Sequence, residues 1–508
     1  MDPLFLAAII AGYFILLIGI SSFNRGHSDN NSFFLAGRSS AWYVVAFGMI
    51  GSSISGVTFI SVPGMVGKGG FHYLQMVVGY LAGYWVVSQF LLPLYYRRHL
   101  TSIYTYLGDR FGRGSHLTGS VLFLISRSLG SSLRLYLVAM VLDAWILAPL
   151  GVPFWLTTIA TIGLIWLYTF QSGIKTIIWT DTLQTAFLLL AVLMSIGMVG
   201  DELSIPWHEI PRQVNLSPFS NIWETDWRHP DYFLKMFVSG AFITIVMTGL
   251  DQDMMQKNLS CRSLPEAQKN MQWFSLVLVG VNLLFLMLGA LLYMYCAQEQ
   301  IALPEKSDQL FPQLALNTFG PSVAIVFTIG LIAAAYSSAD SALTALTTSF
   351  CVDVLGFNEN KGSKQTRMWV HLGMSGLLAI QILVFRAYHH DALLKQLFSI
   401  AGYTYGPLLG LYAFGMFTRR MPRDSWVPVI ALISPLMCFV IDQNSKSWLN
   451  GYVFGFELLV LNGALTFGLL HLISLSFPKS NSNLQNADLI PPNKFDPPKA
   501  HLIHPKHT

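Results

Sequence analysis

Apolar runs long enough to cross a bilayer recur along almost the whole chain, separated by short polar connections. They fall near residues 4–24, 41–63, 71–97, 118–145, 153–173, 176–200, 232–250, 271–296, 323–350, 366–386, 394–418, 424–442 and 454–477. A helix needs about 20 such residues to cover the roughly 30 Å hydrocarbon core. The pattern therefore predicts an all-α polytopic membrane protein with about thirteen transmembrane helices. Residues 1–477 read as one transmembrane domain. The stretch 478–508, rich in Pro, Asn, Lys and His, reads as a disordered cytoplasmic tail. The first run has no basic segment before it and is too long for a signal peptide, so it is expected to stay as a helix.

Polarity interrupts several of these runs. In the ninth, Ser337, Asp340, Ser341 and Thr344 recur at i, i+3, i+4 and i+7, on one helical face. A carboxylate at the centre of a membrane helix costs about 2.5–3.5 kcal/mol on insertion scales, so it is rare without a use. Clustered side-chain oxygens suit a hard cation such as Na+. Without the carboxylate, the same Ser and Thr residues would serve close helix packing. The second run gathers Gly48, Gly51, Ser52, Ser53, Ser55, Gly56 and Thr58 into one short stretch. Such small residues predict unwinding, which is tolerated at membrane depth only where the backbone lines a cavity or is buried in protein. Freed carbonyls there can coordinate a cation; a close helix crossing is the alternative. The sixth run carries Asp181. The fourth carries Arg134, with Arg127 seven residues earlier on the same face. Arg127 reads as the structural partner of a buried acid. Arg134 reads either as such a partner or as a bidentate clamp for a carboxylate.

Composition narrows the function classes. The chain is 53% hydrophobic and 11% charged, with a mean hydropathy of +0.52, far outside the soluble range. A net charge of +4 with no basic stripe gives no reason to expect a nucleic-acid partner. No HExxH or GxSxG motif is present, which argues against a membrane enzyme. Cys261, Cys296, Cys351 and Cys438 lack the spacing of a disulfide framework or a metal site. Basic residues gather in alternate connections, including Arg97, Arg98, Arg110 and Arg113, then Lys257, Arg262 and Lys269, then Arg419, Arg420 and Arg423. The connection near 201–231 is acidic instead. By the positive-inside rule, the N-terminus is expected outside and the C-terminus in the cytoplasm, in a cell-membrane protein.

Five segments, in their order and spacing, resemble the sodium:solute symporter family, which includes sodium/glucose, sodium/proline and sodium/sialic acid cotransporters. They are FFLAGRSSAWY before the second helix, RRHLTSIYTYLGDRFG after the third, IWTDTLQ in the sixth, TGLDQDMMQKNLSCRSLPEAQ after the seventh and AGYTYGPLLGLYAFGMF in the eleventh. The resemblance implies a LeuT-like fold: two inverted five-helix repeats after an extra first helix, here about 41–200 and 232–418. It implies Na+-coupled symport of a small organic solute by alternating access across the lipid bilayer, with Na+ as the co-transported ion and no obligate protein partner. A sensor of the kind that precedes a histidine kinase is not expected, because no kinase segment follows the last run.

The family's common sodium site corresponds to Gly51, Ile54, Ala334, Ser337 and Ser338. A second sodium site of some members corresponds to Asp181, Ser337, Asp340 and Ser341. Asp340 departs from the two-serine pattern of the sialic acid members, which leaves open a stronger ion site, a proton carrier or a replaced site. Thr244, Met247 and Thr248 stand where the sugar-transporting members carry their sugar contacts, which argues against neutral sugars of the galactose type. Ser53, Ser55 and Thr58, with Gln75 and Arg134, resemble the site that holds a carboxylated sugar in the sialic acid members; Met247 and Thr248 complete the candidate set. The expected solute is a carboxylated sugar such as sialic acid, or another organic anion. The alternatives are an H+-coupled transporter of the same fold and a neutral sugar or other solute.

Overall fold

The computed structural model describes residues 3–23, 30–169, 173–357, 362–388 and 393–476. The expected tail lies outside them. Among the described residues the chain is helical, with no strand beyond a single bridge between Ser40 and Cys261. Every expected apolar run is occupied by helix. These are α1 (Pro3–Phe23), α2a (Trp42–Ser53), α2b (Gly56–Gly69), α3 (Tyr73–Arg97), α4 (Arg113–Leu142), α5 (Phe154–Thr169) and α6 (Gly173–Glu202). Then follow α7a (Phe233–Gly249), α7b (Gln252–Leu259), α8 (Leu264–Gln298), α9 (Pro321–Val354), α10 (Lys364–Tyr388), α11 (Leu393–Phe417), α12 (Asp424–Trp448) and α13 (Leu458–Ser476). Among the described residues, eight are individually long and apolar enough to cross a membrane, or up to ten when each bent pair counts as one span.

The expected break in the second helix is present. Ile54 and Ser55 are extended, at φ −88°, ψ 97° and φ −86°, ψ 170°, and α2a and α2b meet at a 60° bend. Glycine lets the broken segment approach its neighbours. A Cβ on Gly56 would lie 2.9 Å from a Val138 methyl and 3.5 Å from the Ala335 methyl.

A second break was not anticipated. The seventh helix does not end near residue 250 in a cytoplasmic loop but turns through 65° and continues as α7b. Asp251 is extended and caps α7b, accepting from the Asp253 amide at 2.9 Å and the Met254 amide at 3.4 Å. Lys257, read as a loop charge on the cytoplasmic side, is instead 1% exposed inside the protein. The bent helices stand at the start of the two expected halves, and their near-equal bends are the form an inverted repeat takes.

Local capping explains other shifted boundaries. α8 starts at Leu264 rather than near 271, behind Ser263, whose hydroxyl accepts from the Glu266 amide at 3.5 Å. α4 starts at Arg113, where the Asp424 carboxylate accepts from the Gly114 and Ser115 amides, each at 2.8 Å. The acidic connection after α6 holds a short helix, Ile210–Leu216. From Gly330 to Ser349 every residue of α9 is buried, so its polar face looks into protein and not lipid.

Candidate functional site

The two bends face α6 and the middle of α9. Gly51, near the end of α2a, donates its amide to Thr185 Oγ1 at 3.0 Å. A Cβ on Gly51 would lie 2.3 Å from that oxygen and 3.1 Å from Ser337 Oγ. Only glycine fits this approach, which sets the broken segment against α9. Ser337 donates to Asp181 Oδ1 at 2.8 Å. A hydroxyl that gives its proton to a carboxylate keeps its lone pairs for a cation. Ser338 donates to the Ala335 carbonyl at 3.3 Å, and Ala334 lies one turn before it on the same buried helix. Ile54 is the first extended residue of the break.

The acids of the expected second ion site have other company. Asp181 Oδ2 accepts from Ser52 Oγ at 2.9 Å and from Lys257 Nζ at 2.7 Å. Lys257 also donates to Ser52 Oγ and stands 4.0 Å from Asp253 Oδ1. Asp340 accepts from the Tyr168 hydroxyl at 3.0 Å and the Ser341 amide at 2.6 Å. Ser341 donates to the Ser337 carbonyl at 3.1 Å and to Asp253 Oδ2 at 3.3 Å.

Beside this cluster lies a cavity of about 90 Å³. Ser53, Ser55, Thr58, Arg134, Met247 and Thr248, all named from the sequence, line it together with Tyr73, Tyr80, Tyr84, Thr244 and Asn282. Gln75 does not join them. Its amide donates to the His72 and Asp231 carbonyls, each at 3.1 Å, and its carbonyl accepts from the Glu224 amide at 3.2 Å. Those bonds use Gln75 to tie the acidic connection to the start of α3.

The two arginines of α4 differ sharply. Arg127 pairs closely with Asp253 and lies 3.6 Å from Asp251, which also accepts from the Tyr405 hydroxyl. Arg134 is buried at 8% exposure, its Nε is unpartnered, and it makes no hydrogen bond or ion pair with any described residue.

A model of the sodium:solute symporter family matches residues 33–425. The chain belongs to that family. It is thus a multi-pass, Na+-coupled solute transporter and not an enzyme. The sodium/sialic acid symporter of Aliivibrio fischeri is 24% identical over 464 residues, covering 89% of this chain and 90% of the relative. Mouse sodium-coupled monocarboxylate transporter 1 is 27% identical over 408 residues, covering 77% of this chain and 65% of the relative. The fold matches a substrate-bound, outward-open Na+-coupled sialic acid symporter with a TM-score of 0.78 at 20% identity, over 93% of this chain and 98% of that one. It matches a nucleobase-cation-symport-1 family transporter in a closed conformation with a TM-score of 0.53 at 16% identity, over 88% and 95% of the two chains. The fold is LeuT-like.

Sequence reasoning missed Asp251, Asp253 and Lys257 as site residues, along with Tyr84 and Asn282. A signal for the α7b group was present. Gly249 followed by Asp251, ahead of a short amphipathic stretch, is a helix stop and a fresh N-cap in succession.

Proposed function

We propose that this chain couples inward Na+ movement to the uptake of an anionic, hydroxyl-bearing organic solute by alternating access. Arg134 carries the reading. A buried guanidinium without an acceptor is costly, and a carboxylate arriving in the cavity would supply the missing partner. The helix ends support the same sign of charge. The N-terminus of α2b, at Ser55, has no side-chain cap, whereas that of α7b is capped by Asp251. Uncapped amides and the positive dipole end favour an anion. Ser55 and Thr58 of that turn line the cavity. The hydroxyls of Ser53, Tyr80, Tyr84 and Thr248 and the amide of Asn282 suit a solute rich in hydroxyls. A carboxylated sugar meets both demands, in keeping with the relatives that carry sialic acid or monocarboxylates.

Na+ would be held by the carbonyls of Gly51, Ile54 and Ala334 and the hydroxyls of Ser337 and Ser338. The chain would sit in the cell membrane with its N-terminus outside and its C-terminus in the cytoplasm. Reconstitution into liposomes with an inward Na+ gradient tests the whole reading. Acidic sugars or monocarboxylates should be taken up and should compete, neutral sugars should not, and choline in place of Na+ at fixed pH should stop uptake. Equal competition by neutral sugars would refute the anionic substrate. Uptake that persists in choline and follows a pH gradient would refute the coupling ion.

A further inference from the structure

We infer that Lys257 is a built-in cation filling the position that a second Na+ would take beside Asp181, so that the chain binds a single Na+. The inference rests on the Na+-coupled reading above. Its carrier is the arrangement around Asp181. That carboxylate is fully buried and its two oxygens already accept three donors: Ser337 on one oxygen, Ser52 and Lys257 on the other. The ammonium is held from a second direction by Ser52 Oγ and has Asp253 at 4.0 Å. Of the expected second-site residues it contacts only Asp181, the carboxylate an ion there would need, and Ser52 and Asp253 supply its other oxygens.

The remaining acid of the expected second site already accepts a donor on each oxygen. Asp340 is turned to the Tyr168 hydroxyl and its neighbour's amide. The Ser341 hydroxyl turns its proton to the Ser337 carbonyl and to Asp253. A second Na+ on Asp181 does not fit while Lys257 is in place, because the ion and the ammonium would compete for that same carboxylate in a dry site. The common site is spared. Ser337 is oriented by Asp181 with its lone pairs free, and Asp181 in turn is neutralised by Lys257. The placement follows from the second bend: α7b exists only because the helix resumes after Leu250, and it delivers Lys257 from 76 residues away in sequence.

Equilibrium binding of radioactive 22Na+ to the purified full chain in lipid nanodiscs tests this. Wild type should bind one ion, and Lys257→Arg should also bind one. Lys257→Met keeps the stem and removes the charge; it should bind two, and the cooperativity of Na+-dependent uptake should rise from about one toward two. Lys257→Met combined with Asp181→Asn should return to one. A merely structural lysine would lower protein yield without adding an ion. Two ions bound by wild type overturns the inference. So does one ion bound by a monodisperse Lys257→Met or Lys257→Gln chain, the latter serving if the methionine variant does not fold. No Na+ bound by wild type instead overturns the Na+-coupled reading, so the two failures are told apart.

Discussion

Replacing Arg134 should weaken the transporter's grip on its solute while making the empty protein more stable. Arg134 is 8% exposed, and its buried Nε has no acceptor among the described residues. In the empty state that Nε therefore carries desolvation that no protein acceptor offsets, and removing the charge relieves that cost. With solute bound, a charge-assisted contact to a carboxylate contributes about 1.5–3 kcal/mol. At about 1.4 kcal/mol per tenfold, that is roughly 10- to 150-fold in affinity. Arg134→Lys keeps the charge but loses the planar two-point fork, so affinity should fall within that range while the half-saturating Na+ concentration stays put. Arg134→Gln should lose more affinity and melt at a higher temperature when empty. Arg127 is the internal control, seven residues away on the same helix. Its charge is matched by Asp253 and Asp251, so Arg127→Gln should destabilise by about 3–5 kcal/mol whether or not solute is present. Solute binding by isothermal titration and thermal unfolding in detergent, each with and without solute, measure both arms. An Arg134→Lys affinity within about threefold of wild type would refute the clamp, taking the threshold as under half the smallest contribution above. An empty Arg134→Gln protein less stable than wild type would show that the guanidinium has a structural partner after all.

Ser337→Ala and Ser338→Ala should each raise the half-saturating Na+ concentration at least several-fold with expression intact; unchanged Na+ dependence in both would remove them from the ion site. Gly51→Ala places a methyl 2.3 Å from Thr185 Oγ1, so it should cost about 1–3 kcal/mol of stability and most transport. Adding Thr185→Ala should recover part of that stability, and an unperturbed single variant in thermal unfolding would deny the close approach. Asp181→Asn strands the Lys257 ammonium and should destabilise by about 3–5 kcal/mol, whereas Asp181→Asn with Lys257→Met should be near neutral. A double-mutant cycle in which the two changes simply add would show that the pair is not coupled.

The two bends show what a sequence displays and what it hides. The break in α2 was legible because Gly48, Gly51 and Gly56 leave no side chain to hold a helix surface, and that information is local. The break in α7 was hidden by its own charges. Asp251, Asp253 and Lys257 read as loop by hydropathy, because the one local pair, Lys257 with Asp253 at 4.0 Å, leaves most of their charge to distant partners. Their partners are Arg127, 126 residues from Asp253, and Asp181, 76 residues from Lys257. Gln75 lies away from the cavity for the converse reason. Its position relative to the cavity depends on how the acidic connection folds over α3, which residue matching does not encode. Arg134 was legible as an intramembrane charge, but its lack of an acceptor among the described residues was not, since that depends on every neighbouring helix.

The Lys257–Asp181 pair also bears on what drives the cycle. An ion crossing 100 mV gains about 2.3 kcal/mol per charge. Lys257 belongs to the protein and returns with it, so its charge contributes nothing over a complete turn. One Na+ travelling with one carboxylate moves no net charge, and the membrane voltage then drops out of the driving force. Accumulation would be capped by the Na+ concentration ratio alone, about tenfold for a tenfold gradient. Such a carrier would work equally well in a depolarised cell and would reverse whenever Na+ did. Freeing Asp181 for a second ion would convert it into a current-carrying machine.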